Sequence, residues 1–255
     1  MAITLVQSVK AIVTGVSFTT LAYGSNVTAG NLLCNSHSHW SLDDNAINTP
    51  SDTLTHTHVP MVAEQAIGAF NKLRSFYVAN CSGGANTVTF DIASGDLGDI
   101  TVVVAEFSGA ATTTPLGVTA SGTGTGTEVS SGNTATLDQP TGMLWGAMIH
   151  SGADTTIAET GGATIVQENE GGTSNMPIGV SYELTTATTA QDATWTVGAS
   201  RTWAAHVAFL KAALVLGDNA PTARSRARRP EDDDEDERQF NEVDIRYWWR
   251  EALAI

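Results

Sequence analysis

The sequence predicts an antiparallel β-sandwich, and three observations predict it. Short runs of β-branched and aromatic residues recur at close spacing between clusters of Gly, Asn, Asp and Ser, the pattern of many short strands. Several runs alternate in polarity: Val88, Phe90 and Ile92 interleave with Thr87, Thr89 and Asp91, the period-2 signature of a half-buried strand. Connections are of hairpin length and no helices alternate with the strands, so pairing is antiparallel.

Residues 75–110 are the best-patterned segment. A strand at 76–79 ends in the turn cluster Asn80, Cys81, Ser82, Gly83, Gly84. The alternating run 87–92 follows, and after a polar turn comes 100–107, apolar almost throughout, as expected of a strand inside a sheet. Glu106, near its end, is a candidate buried acid.

Upstream, residues 4–14 and 16–22 read as two strands, with Gly15 a bulge or bend. A turn at 25–31 leads to a strand at 32–40, a loop at 43–52, and an extended stretch at 54–62 that Pro60 places at an edge or strand end. Only 63–70 has helical character, which Gly68 weakens. Downstream, the alternating Gly and Thr of 121–127 read either as a strand with one bare face or as a loop. They make a poor phosphate loop, because no Lys follows and no helix pattern starts there. Further strands are expected at 134–137, 143–149, 163–167, 180–185, 193–197 and 203–210. Met143, Trp145, Ala147 and Ile149 share one face; so do Trp203, Ala205, Val207 and Phe209.

A chain of 255 residues is long enough to bury a large core. The formal net charge is −15, and lysine occurs only at 10, 72 and 211. Residues 1–216 hold 5 basic and 16 acidic side chains. That balance argues against nucleic acid as a ligand, which needs clustered Lys and Arg. No apolar run is long enough for a membrane-spanning helix, and the N-terminal stretch, interrupted by Lys10, predicts no cleaved leader. Cys34 and Cys81 are too few for a disulfide framework and are expected to be free, as small buried hydrophobes.

Composition changes at 217. Residues 217–238 carry no large apolar side chain: Arg224, Arg226, Arg228 and Arg229 precede seven consecutive carboxylates at 231–237. This predicts a charged, extended linker over 217–239. Beyond it, Asn241 is an N-cap candidate, and Ile245, Trp248, Trp249, Ala252 and Leu253 fall on one helical stripe. With Phe240 they define a short docking helix over 240–255, expected to bury its tryptophans against a neighbouring subunit or another protein; the plain alternative is that it folds back on its own sandwich. The organisation is therefore a sandwich domain (1–216), a linker and a docking helix.

The candidate chemistry is sparse. His37/His39 and His56/His58 form two H-x-H pairs, and on strands each pair would present two imidazoles on one face. If neighbouring, the four would suit zinc or another transition metal; a trimer with one pair per chain around an axis is a second route. The plain alternative is neutral histidines on a polar surface strand. No nucleophile elbow, H-E-x-x-H helix or C-x-x-C pair appears, so no enzyme activity is expected. A glycan site would need an exposed aromatic beside carboxylates or carboxamides, with Trp40 and Trp145 the first to check.

Local matches run through the first 212 residues: TLVQS near the start, AGNLL at 29–33, SDTLTHTHV at 51–59, FYVANCSGGANTVTFDI, VVVAEFSGA, the G-T-G-T block, and YELTTATTAQDATWTVGASRTWAAHVAFLKA. Together they resemble a jelly-roll-like module of tailed-phage structural proteins, also seen in secreted bacterial proteins of unassigned role. Where that module usually has a Gly-Asn turn after its Asp-Thr, this chain has Thr55-His56. The resemblance implies no catalytic residues. It implies a virion structural protein, foremost a capsid decoration or cement protein exposed on the particle and contacting other virion subunits. Homo-oligomerisation, with a trimer as one form, is part of that expectation. A tail or fibre component, or a carbohydrate-binding adhesive module, is the alternative.

Overall fold

A strand whose side chains alternate buries every second one, and the chain uses that rule to build three separate cores. The computed structural model describes residues 2–41, 43–93, 97–152, 156–168 and 177–214. The expected linker, and the docking helix with Phe240, Ile245, Trp248, Trp249, Ala252 and Leu253, lie outside the described residues.

Among the described residues there are fifteen strands and no helix. The first nine are β1 (Thr4–Val16), β2 (Phe18–Ala22), β3 (Leu32–Ser41), β4 (Ser51–Asp52), β5 (Val59–Pro60), β6 (Gln65–Ile67), β7 (Asn71–Val78), β8 (Thr87–Asp91) and β9 (Gly98–Ser108). The rest are β10 (Leu116–Ser130), β11 (Gly142–His150), β12 (Ile157–Glu159), β13 (Thr164–Glu168), β14 (Ile178–Thr185) and β15 (Thr194–Lys211). One six-stranded sheet has the order β1-β9-β3-β7-β5, with β6 also on β7; a second has β10-β15-β11-β14-β13, with β12 on β15; β2-β8-β4 form a small third sheet. The strand pairings are antiparallel.

The two large sheets face each other across a central core. Leu32, Cys34, Leu73 and Phe107 of the first meet Trp145, Ile178, Ala204 and Leu210 of the second. Phe107 and Trp145 meet edge-to-face, with ring centroids 5.9 Å apart, a favoured aromatic geometry. The other face of the first sheet is covered by the small sheet, through Leu33, Ile100, Val102 and Val104 against Leu21, Val88 and Phe90. The other face of the second sheet is covered by Val129, Leu137, Ile157 and Trp195. Cys34 and Cys81 are free and buried; they belong to different cores.

The strand at 100–107 is internal to its sheet, as its apolar run requires: β9 lies between β1 and β3, and each residue from Ile100 to Phe107 is buried. The Gly-Thr run is a strand, β10. A Cβ on Gly124 would stand 2.5 Å from the Trp203 ring, and one on Gly122 2.6 Å from the Ser130 carbonyl oxygen, so these positions are bare because something lies on them.

Four expectations change. Residues 63–70 are not helical: β6 turns back onto β7, with Gly68 in the left-handed region at φ +62°, where glycine is favoured. Residues 134–137 are not a strand; their backbone is tied instead through Thr134 N–H to Gln191 O and Leu137 N–H to Thr188 O. Of 54–62, only the two-residue edge strand β5 is extended in a sheet. The runs at 193–197 and 203–210 are one strand, β15, whose register on β10 shifts between Gly126 and Glu128.

Candidate functional site

The first H-x-H pair lies on β3 as its spacing requires, but inside the protein. Asn35, His37 and His39 share the face of β3 that packs beneath the small sheet, and all three are fully buried. The two imidazoles are 5.7 Å apart, and His37 meets Phe90 edge-on at 5.6 Å. Across the ladder, His37 pairs with Arg74 and His39 with Lys72. Lys72 is bonded to Asp44, and Arg74 Nη1 donates to the Ile47 carbonyl at 3.1 Å. Burial, then the neighbouring His39, pushes the His37 pKa well below the usual imidazole value. Burial brings His39 to about 4, against an opposing hydrogen bond to the Asn45 backbone. Both rings are therefore neutral, and their burial removes them from any axis between subunits.

The second pair is not on a strand. His56 and His58 lie between β4 and β5 and converge on Asp52. Asp52 Oδ2 accepts from His56 Nδ1 (2.8 Å), His58 Nε2 (3.1 Å) and Asn86 Nδ2 (3.1 Å). Its Oδ1 accepts from the backbone N–H of Leu54 (3.1 Å) and His56 (3.0 Å). Burial opposes ionisation of this carboxyl, but the His56 amide, the His56 ring and Asn86 outweigh it and hold its pKa below the usual range. The remaining nitrogens are also engaged: His58 Nδ1 with Asn35 Nδ2 at 3.1 Å, His56 Nε2 with Ser82. Both rings thus spend their lone pairs on protein hydrogen bonds. Among the described residues no group of three or more His, Cys, Asp or Glu side chains is arranged to hold a metal ion.

This hub closes a turn in which Thr55 has φ +58°. A β-branched residue there is strained by about 1–3 kcal/mol, less what its stiffness saves in the unfolded chain. Thr55 is exposed, and its hydroxyl reaches only the adjacent Leu54 carbonyl. Thr55→Gly is expected to raise stability by about 1 kcal/mol, read as an increase in the urea midpoint at unchanged slope.

Ser82, His56 and Asp52 have the connectivity of a serine–histidine–aspartate relay: Ser82 Oγ lies 2.8 Å from His56 Nε2, and His56 Nδ1 2.8 Å from Asp52. One contact changes its meaning. The backbone N–H of Ser82 donates to the same Nε2 at 2.9 Å, so the lone pair a general base would use is already shared with an amide. The array ties the turn at 80–84 to the Asp52 loop.

Glu106 is fully buried, as anticipated. It accepts from Gln7 Nε2 (2.6 Å), the Thr28 backbone (2.8 Å) and Asn31 Nδ2 (2.6 Å), an anchor closed to any substrate. A second acidic group, Glu159, Glu183 and Asp192, lines a recess of about 10 Å³. Burial, then Glu159 and Asp192, raises the Glu183 pKa. A recess that size admits no sugar ring.

The aromatic to examine for a glycan is neither tryptophan named by the sequence. Trp145 is fully buried, with Nε1 donating to Ser36 Oγ at 3.2 Å, and Trp40 is half-buried against the central core. Phe18 is 57% exposed on β2, directly opposite Asp91 on β8. Asn48 Nδ2 donates to Asp91 Oδ2 at 3.1 Å. With Ser17 and Thr89 these side chains line an open groove of about 390 Å³. The signal was in the sequence: in β2, Phe18 stands out of phase with the buried Thr19 and Leu21.

Fold and polar clusters together define an all-β protein of antiparallel, sandwich-like sheets, in which Asp52 and Glu106 are held in internal hydrogen-bond networks. No protein-family model, curated protein or solved structure matches the chain.

Proposed function

We propose that the chain is a non-enzymatic structural protein of a virus particle: a capsid decoration or cement subunit, jelly-roll-like in its sandwich, held to neighbouring subunits by residues 217–255. One observation carries this reading. Both large sheets have their outer faces covered by the chain's own strands, so the described residues leave no broad apolar face for assembly. Among the described residues the exposed large apolar ones (Val6, Ile12, Phe18, Phe70, Leu97, Leu184 and Leu214) are spread over β1, β2, β14 and several loops, which is ordinary for a solvated surface. Attachment then falls to the apolar stripe at 240–255, behind its charged spacer. The jelly-roll-like description draws on the order β1-β9-β3-β7, which interleaves strands distant in the chain. The absence of catalysis draws on the shared His56 lone pair and the closed surroundings of Glu106.

The experiment is deletion of residues 217–255. The truncated protein is expected to fold, as judged by an unchanged near-UV spectrum, and to lose particle or oligomer binding at least tenfold; unchanged binding overturns the reading. A tail or fibre position is tested by the same deletion on purified tails. The adhesive alternative is favoured by a separate observation, the groove beside Phe18, in which an exposed ring adjoins a carboxylate–carboxamide pair.

A further inference from the structure

We infer that the groove bounded by Phe18, Asn48, Thr89 and Asp91 binds a neutral sugar; the inference rests on the adhesive alternative and names the site it would use. A pyranose has one face of C–H groups and a rim of hydroxyls, so its site needs a flat apolar surface beside groups that both donate and accept. Phe18 supplies the surface, standing free of any core with more than half its area exposed.

Asp91 and Asn48 supply the rim. Their mutual hydrogen bond fixes both side chains in place and commits one carboxylate oxygen and one amide hydrogen. The bond from Asn48 goes to Oδ2 and leaves Asp91 Oδ1 out of this pair. A carboxylate only accepts, whereas an amide retains a second N–H and a carbonyl lone pair. Side by side, they can take the hydrogen of one sugar hydroxyl and donate to the oxygen of its neighbour. Thr89 adds a hydroxyl on the same face of β8 as Asp91.

Size and charge narrow the ligand. A groove of about 390 Å³ is at the small end of ligand sites, which run from about 300 to 1,000 Å³, and fits one or two rings. Asp91 within it, and the acidic body around it, disfavour anionic ligands such as sialylated or sulfated glycans. Among the described residues no Lys or Arg lines the groove. The site is preorganised by the ladder: Phe18 and Asp91 are a cross-strand pair, and the Asn48 backbone N–H reaches the Asp91 carbonyl at 3.4 Å.

The test is an array of immobilised neutral oligosaccharides probed with the full chain and three variants, Phe18→Ala, Asp91→Asn and Phe70→Ala. Each is checked first for an unchanged thermal midpoint. Phe70 is the control, an exposed phenyl ring in the turn between β6 and β7. The expected result is binding by the wild type and Phe70→Ala, and at least a tenfold loss in both Phe18→Ala and Asp91→Asn. Binding that survives both groove substitutions overturns this site while leaving the adhesive alternative standing. A wild-type protein that binds nothing on the array overturns both.

Discussion

On acidification from pH 7 to pH 4 the protein is expected to lose several kcal/mol of stability and to unfold near the lower value. The cause is imidazoles buried in neutral form: His37, His39 and His206 foremost, with His58 and His150 displaced by burial in the same direction. Burial holds His206 at about 3, where its Nε2 meets Ser75 Oγ at 2.8 Å across the central core. His39 is held at about 4, and His37 is displaced in the same direction. In the unfolded chain each titrates near 6.5. Between that value and the folded one, the unfolded state binds more protons, so stability falls as pH falls. His39 and His206 cost on the order of 3 kcal/mol each by pH 4, at about 1.4 kcal/mol per pH unit per proton. A typical domain has about 5–15 kcal/mol in total. Below the ordinary carboxylate range, loss of the Asp52 charge adds to the same trend. Glu183, with its raised pKa, offsets part of it. The measurement is the urea midpoint at each pH from 7 to 4, with His206→Gln expected to flatten the slope by one proton. A midpoint constant from pH 7 to 4.5 is incompatible with neutral buried histidines.

The second large effect is expected at Asp52. Asp52→Ala leaves five donors without their acceptor: two imidazole N–H groups, two backbone amides and the Asn86 amide. Its side chain is fully buried, so water does not replace the lost oxygens cheaply. Removing one member of a buried ionic network costs about 3–5 kcal/mol, and an unsatisfied buried donor about 1–3 kcal/mol. The expected loss is about 4 kcal/mol in equilibrium denaturation at pH 7, with Asp52→Asn intermediate because it keeps one acceptor oxygen. A loss below 1 kcal/mol for Asp52→Ala would falsify the role of this carboxylate as the hub of its loop.

These two sites differ in how visible they were. The His37/His39 pair obeys strand periodicity, and β3 presents both rings on one face as the spacing requires. What periodicity does not encode is the cover: the small sheet arrives from 18–22, 51–52 and 87–91 and turns a polar face into an interior. The same rule misplaced His56 and His58, because i and i+2 share a face only in a strand, and the turn at Thr55 breaks it. Asp52 and Asn86 are 34 residues apart, Asn48 and Asp91 43; no local pattern joins residues at such separations. By contrast, β8 and β9 were legible because burial alone decides them. At β15, two strands are expected from the sequence, 193–197 and 203–210, and a single strand runs through the gap between them by a shift in register.

Chain order and spatial order also coincide. Residues 4–108 contain every strand of the first sheet and of its small cover, and residues 116–211 every strand of the second sheet. The central core is therefore a seam between an early and a late half, bridged back at Ala110 and Ala212. On the ribosome, where domains form as they emerge, the early half can close as soon as β9 pairs with β1, before any strand of its counterpart exists. Leu32, Leu73 and Phe107 then face water until Trp145 and its neighbours arrive to cover them. Vectorial synthesis thus leaves one sticky surface, of one sheet, for the time it takes to translate the other.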